Sequence, residues 1–451
     1  MAKEISKKSI ILISLAVYLL LAVLLKDSFS TIKNFDSYLI ISSFVALLIA
    51  LLLFNMKYAL FVLLILRPIT ENFTLINYPI PIINQPLNFT SIISALIIVA
   101  GLLYLLINRS PITKYPLSKQ FFAFVGIAFL SSLFSSNFSA SFEEWLKMFS
   151  VFVVFLVATN LITSKKDLLQ LIGAIVISMV APVSVALYQI FAGKGDPYTK
   201  GFIRVYGTFT HPITLAYYVL LVSVVIIVLS IETRNRYLKM LAYISFIPIG
   251  VVFINTFARG AWIIFVVVLF ILGIIRYKRF LIILPILLVI MALFFGTVTT
   301  RFADLSKTAN NEAGSVNSIE SRQDIWKQNI PLVLANPVFG NGIGASYRLI
   351  NQDTHNDYLR ILAEAGVLGL LAYLWLLLIT VKSSWKRYKE SDDEDTKNIA
   401  LVFFVMAVAY VILSFDSNVL INGAFQWTFW SLAAAANGSK IQPATLVSNQ
   451  L

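Results

Sequence analysis

Cysteine is absent from all 451 residues, and histidine occurs only twice. The first absence excludes any disulfide framework or thiolate metal site and leaves the redox compartment unspecified. The second excludes a multi-histidine metal centre. Charge is scarce as well: Asp, Glu, Lys and Arg make up 13% of the chain, against about a quarter in soluble globular proteins. No repeat of fixed period is visible, and no low-complexity segment other than apolar runs.

Those apolar runs dominate the chain. Hydrophobic residues reach 59% and the mean hydropathy is +0.85, which places the protein in a bilayer. Runs suited to crossing about 30 Å of hydrocarbon occur near 9–25, 37–54, 58–76, 89–107, 119–135, 145–162, 168–192, 213–231, 237–256, 259–275, 279–297, 359–381, 397–416 and 419–437. Arg67 and Pro68 interrupt the third. The opening MAKEISKKS resembles a signal-peptide n-region, but no small-residue cleavage site follows it, so the first run is kept as a span. The expectation is an all-α integral membrane protein of about 12–14 transmembrane helices, with short amphipathic helices in one long outer loop. Its parts are N-terminal helices (1–192), central helices with an outer loop at 193–212 (193–297), the long outer loop (298–358), and C-terminal helices with a cytoplasmic tail (359–451).

Basic residues set the orientation, since short loops rich in Lys and Arg stay cytoplasmic. With the amino terminus inside, the alternating inner segments hold 21 of the 35 lysines and arginines, in clusters such as TSKKD, RYKR and KSSWKRYKE. The net charge of +13 is then explained by topology and anionic lipid, and a nucleic-acid partner has no support. The acidic stretch SDDEDTK at 391–397 reads as a solvated surface rather than a metal-binding motif.

Three stretches fall on the outer side: GKGDPYTKGFIRVYGTFTHP at 193–212, the sharp turn FARGAW at 257–262, and the loop from Val298 to Tyr358. Both histidines, His211 and His355, lie there. Within the loop, Ile325, Trp326, Ile330, Val333 and Leu334 have the spacing of an amphipathic helix from about Ser318 to just before Pro337, placed as a lid along the outer face. The turn-rich NPVFGNGIGAS then leads back toward His355.

The ordered set RVYGTFTHPITLAYY, FARGAW, SRQDIWKQNIPLVLANPVFGNGIG and HNDYLRILAEAGVLGLLAYLWLL resembles the O-antigen ligase and O-antigen polymerase superfamily, bacterial polytopic membrane glycosyltransferases. The matching part runs from about Arg204 to Leu378 and includes a pattern HN-x-x-L-x-x-x-x-E-x-G. The resemblance implies a lipid-carrier-dependent, GT-C-like enzyme of the bacterial inner (plasma) membrane. Such an enzyme moves an oligo- or polysaccharide from undecaprenyl diphosphate to an acceptor hydroxyl, on an acceptor lipid or glycan, at the periplasmic or extracellular face. It uses neither nucleotide sugar nor metal, and no cofactor is expected. The ligase reading is preferred; the alternative is a polymerase that joins lipid-linked repeat units, and the motifs are shared.

The chemistry of the residues agrees. Cleaving a sugar–phosphate bond builds negative charge on a diphosphate, which fixed cations stabilise, and arginine binds phosphate oxygens in pairs. Arg204 and Arg322 match the positions the resemblance assigns to the diphosphate. Each is otherwise an interfacial residue of the snorkelling kind. Arg301 rivals Arg322, and Arg259, Arg348 and Arg360 are further substrate-binding candidates. A base for the acceptor hydroxyl titrates best near the operating pH, so His355, where the family motif places its histidine, is the catalytic candidate; its other reading is a helix cap. His211, ahead of Pro212, is a substrate-binding candidate for which a capping role is preferred. Asp357 orients His355, serves as the base, or favours the helix dipole. Arg360 and Glu364, four apart, form an ion pair, while Gly366 and Gly369 serve helix packing. Trp326, Tyr347 and Tyr206 are candidates to stack on sugars. A polysaccharide transporter or flippase would carry its polar groups near the bilayer midplane, whereas these gather at the outer ends.

Overall fold

The computed structural model describes residues 55–71, 77–80, 83–197, 203–233, 235–294 and 318–438. The first two expected spans, Arg301 and the front of the long outer loop lie outside the described residues. Among the described residues seven helices are long and apolar enough to cross a membrane, and three shorter apolar helices accompany them.

In chain order the helices are α1 (Met56–Leu66), α2 (Phe89–Ile107), α3 (Ser118–Leu133), α4 (Phe138–Leu161), α5 (Lys165–Ser178), α6 (Val180–Phe191), α7 (Pro212–Glu232), α8 (Arg236–Asn255), α9 (Arg259–Ile275), α10 (Arg279–Phe294), α11 (Ser318–Ala335), α12 (Ala345–Ile350), α13 (Asp357–Glu390), α14 (Glu394–Asp416) and α15 (Gly423–Asn437). Most bounds fall within a few residues of the apolar runs. α4 begins earlier, at Phe138, and α13 runs on to Glu390; two further runs end or divide within the expected span. The expected span at 58–76 ends as α1 at Leu66, where Arg67 and Pro68 begin a turn. The run at 168–192 is carried by α5 and α6, which meet at Met179 and together count as one of the seven. The amphipathic segment is α11, with the bounds its pattern predicts.

An all-helical chain leaves no place for strands, yet two antiparallel hairpins occur, β1 (Asn77–Ile80) with β2 (Ile83–Asn88) and β3 (Asp196–Pro197) with β4 (Ile203–Arg204). Pro79 and Pro86 interrupt the first pair, which reads against strands, and the second pair has two residues per strand, too few for an alternating pattern to show.

α7 forms the middle of the bundle, with Leu215 to Val228 almost wholly buried, while α8 exposes Leu238, Leu241, Ile244 and Ile247, a face suited to hydrocarbon. α13 packs against α3, α11 and α14, and α15 against α4, α7 and α14. α13 is kinked at Gly366, where φ is 67°, a conformation open to glycine. A side chain there would also strike the Val338 carbonyl, so Gly366 is needed for a turn and a close approach, and packing between helices is the lesser part of its role.

The ends of α1 and α14 meet the beginnings of α7, α9, α13 and α15: Thr208 donates to the Pro68 carbonyl and the Ala424 amide to Glu71, while Asp416 accepts from Tyr217 and lies over Gly260, and Asn418 accepts from the Asn356 amide; Thr90 of α2 and Glu143 of α4 line a cavity with Arg67 at the same end. The opposite end is tied by ion pairs: the buried Asp167 with Lys57 at 2.8 Å, Arg276 with Glu394 at 2.9 Å, and Lys165 with Asp395. Asp393 caps α14 there, accepting from the Thr396 amide. Charge thus collects at both ends of the bundle, as expected when burying it in hydrocarbon is costly.

Candidate active site

The loop that precedes α13 is fixed on three sides. The Trp326 indole N–H of α11 donates to the Thr354 carbonyl at 2.8 Å. Asn418 Oδ1 accepts from Thr354 Oγ1 at 2.8 Å and from the Asn356 amide at 3.0 Å, and its amide nitrogen donates to Asp353 at 3.2 Å. Asn356 caps α13 through the Leu359 amide. His355, between these anchors, takes a left-handed φ of 49°, which histidine tolerates better than most residues.

Next to it stands a carboxylate that the sequence reading passed over. Asp416, the last residue of α14, accepts from Arg322 Nη1 at 2.9 Å and from the Tyr217 hydroxyl at 2.8 Å. It lies over Gly260 in the first turn of α9, so closely that a Cβ at that position would overlap it. The positive end of the helix dipole favours a carboxylate there. Asp416 thereby draws Arg322 of α11, Tyr217 of α7 and the head of α9 to one point. The available signal was a single acidic residue closing twenty mostly apolar positions, which by membrane energetics marks a functional or paired group.

The same end of the bundle holds Arg204, whose Nε donates to the Thr256 carbonyl at 2.9 Å while the neighbouring Val205 amide donates to Asn255 at 3.1 Å. This docks β4 on the end of α8, just ahead of the left-handed Phe257 that makes the sharp turn into Arg259. Gln189 holds the next residues, its Oε1 accepting from the Tyr206 and Gly207 amides at 3.0 and 2.9 Å. His211 caps α7, with Nδ1 accepting from the Ile213 amide at 3.2 Å.

Burial and nearby cations favour the neutral form of both imidazoles. Burial first, then the positive field of Arg322, lowers the pKa of His355 below its ordinary value. Burial and then Arg204 lower that of His211 to about 4. A neutral imidazole has a lone pair to take a proton, and among the described residues only His211 has spent one on a helix cap.

The remaining candidates sit deeper or to one side. Asp357 turns away from His355: its Oδ2 accepts from the Val419 and Leu420 amides at 2.9 and 3.2 Å, so it braces the turn after Asp416. Arg360 and Glu364 form a buried pair at 3.1 Å. Arg348 donates to Ser141 Oγ and the Ile343 carbonyl at 2.8 and 2.9 Å. Arg348 and Arg360 line a cavity of about 500 Å³, together with Arg67, which the sequence reading treated only as an interruption of a span. Arg301 lies outside the described residues.

Part of the sequence that builds this site is similar to a known family. Residues 244–374 match the family described as O-antigen ligase. The match takes in Arg259, Arg322, Arg348, His355, Asp357, Arg360 and Glu364 and leaves out Arg204, His211 and Asp416. No curated protein matches the chain. The matched stretch runs from the middle of α8 into α13 and carries the motifs around Arg259, Arg322 and His355, so this part of the chain is similar to the O-antigen ligase family.

Proposed function

We propose that the protein is a membrane glycosyltransferase of the O-antigen ligase type, moving an oligo- or polysaccharide from undecaprenyl diphosphate to an acceptor hydroxyl at the outer face of the inner membrane. The observation that carries this reading is the meeting of His355 with Arg322 at one end of the bundle: Trp326 of α11 ties down the loop at Thr354, next to His355, and Asp416 holds Arg322 of the same helix at 2.9 Å. In the reaction, His355 takes the proton of the acceptor hydroxyl, the hydroxyl oxygen bonds to the sugar C1, and the bond from C1 to phosphate breaks. The diphosphate leaves with the electron pair, and Arg322 and Arg204 stabilise its growing charge. Asp416 holds the Arg322 guanidinium in place, and the arginines take the part a metal has in other phosphate chemistry.

The test is incubation of the purified protein with lipid-linked oligosaccharide and a separate acceptor. A new conjugate supports ligation. A longer lipid-linked chain assigns the same site to polymerisation, and unchanged substrates refute both.

A further inference from the structure

The 500 Å³ cavity has the size of a small-molecule site, about 300–1,000 Å³, but its charge differs from what a diphosphate requires. Four cations line it: Arg67, Lys147, Arg348 and Arg360. Four carboxylates line it as well: Glu71, Glu143, Glu144 and Asp353. Much of this charge is paired directly, Arg67 with Glu71 at 3.1 Å and Lys147 with Glu144 at 2.6 Å, while Arg360 is held by the fully buried Glu364. Stabilising an anion requires positive charge in excess, and this lining has none.

What it offers is a mixture of donors and acceptors. Thr210, Thr214, Thr354, Asn418 and Asn422 add hydroxyl and amide groups. Tyr347 adds a ring that is 53% exposed. At the inner end Arg67 is 3% exposed and lies over the Trp427 ring; its Nη1 faces Glu71 in the ion pair, while its Nε makes no hydrogen bond, and neither does the buried Thr90 hydroxyl. Sugar hydroxyls both donate and accept, so this lining satisfies them where an apolar chain would leave it unsatisfied. The cavity also adjoins the reacting group: Asp353 and Thr354 form part of its wall and lead directly into His355, and Thr210 and Thr214 flank His211.

We infer that this cavity is a glycan subsite, seating sugars without net charge beside His355, and that the diphosphate binds elsewhere. This rests on the transferase reading above.

The absence of cysteine gives a direct test by thiol labelling of Tyr347→Cys and Thr90→Cys in the cavity and of His355→Cys beside it. Two ligands are compared: undecaprenyl diphosphate without sugar, and undecaprenyl-linked glycan extracted from the source membranes. At about ten times its Kd, the glycan-bearing lipid should slow labelling at all three positions about tenfold. The sugar-free lipid should do so at His355→Cys alone. Protection of the cavity cysteines by sugar-free lipid overturns the inference, and so does glycan-bearing lipid that protects only His355→Cys. If neither lipid protects His355→Cys, the transferase reading fails along with the subsite. Independently of any lipid, anionic and cationic methanethiosulfonates should modify Tyr347→Cys at rates within about threefold of each other once corrected for their intrinsic reactivity. A cation-rich site would favour the anionic reagent by about tenfold or more, and that result also overturns the inference.

Discussion

Asp416 and Gly260 approach so closely that no side chain larger than hydrogen fits between α14 and the first turn of α9. The contact fixes the carboxylate that holds Arg322 and Tyr217. Gly260→Ala should push Asp416 off both partners. Overpacking of this kind costs about 1–3 kcal/mol, which corresponds to roughly a 5- to 150-fold loss of transfer if Arg322 is misplaced by it. The check is the transfer rate beside a melting curve in detergent. Full activity in a well-folded Gly260→Ala protein removes the Asp416 contact from the site's design.

Where contacts are close in sequence, they could be read from it. Ser318 and Pro337 bracket α11, and Arg360 and Glu364 fall on one helical face. Asp416 was missed because its partners are distant, Tyr217 being 199 positions away, and no local pattern encodes such a meeting. Arg67 was visible but misread: a cation breaking an apolar run signals the end of a helix and a cavity wall equally. The brace from Asp357 to Val419 and Leu420, 62 and 63 positions on, also depends on a turn that only the folded chain forms.

The Arg360–Glu364 pair is buried, with side-chain exposures of 8% and 0%. Removing one member leaves the other charge without compensation, at a cost of about 3–5 kcal/mol. Glu364→Ala should therefore melt well below the parent protein, and Arg360→Met combined with Glu364→Leu should recover most of that loss. Equal melting of Glu364→Ala and the parent would show the pair to be solvated. The double variant should still bind glycan poorly, since Arg360 lines the cavity.

Transfer should continue in EDTA, because among the described residues no three His, Asp or Glu side chains group so as to hold a metal ion, which leaves arginines to stabilise the diphosphate. Loss of activity restored by magnesium would refute the arginine-only scheme. Under that scheme Arg322→Lys should also be damaging, as lysine keeps the charge but lacks the planar fork.

Orientation can be checked separately. A membrane-impermeant thiol reagent applied to intact cells should reach Tyr347→Cys, and it should reach Asp392→Cys only after the membrane is opened. The expectation rests on the distribution of basic loops, and the reverse pattern would move the whole site to the cytoplasmic side.

If His355 is the base, His355→Ala should lower the transfer rate by roughly 100- to 10,000-fold, the usual contribution of a positioned general base. Retention of the lipid-linked donor should be largely unchanged, whereas Arg322→Ala should weaken it. The working form of the imidazole is neutral, so the rate should rise with pH as the proton leaves. Burial and Arg322 lower the pKa, so the limb should lie below the ordinary histidine value of 6.5. Removing the positive charge in Arg322→Gln, measured at saturating donor, should shift that limb to higher pH. A limb near 4 that survives in His355→Ala would point to His211 instead, whose pKa is lowered to about 4. Near-normal turnover by a well-inserted His355→Ala protein would remove this histidine from the chemistry and leave a carboxylate on the acceptor to take the proton, since Asp357 is buried and held by the Val419 and Leu420 amides.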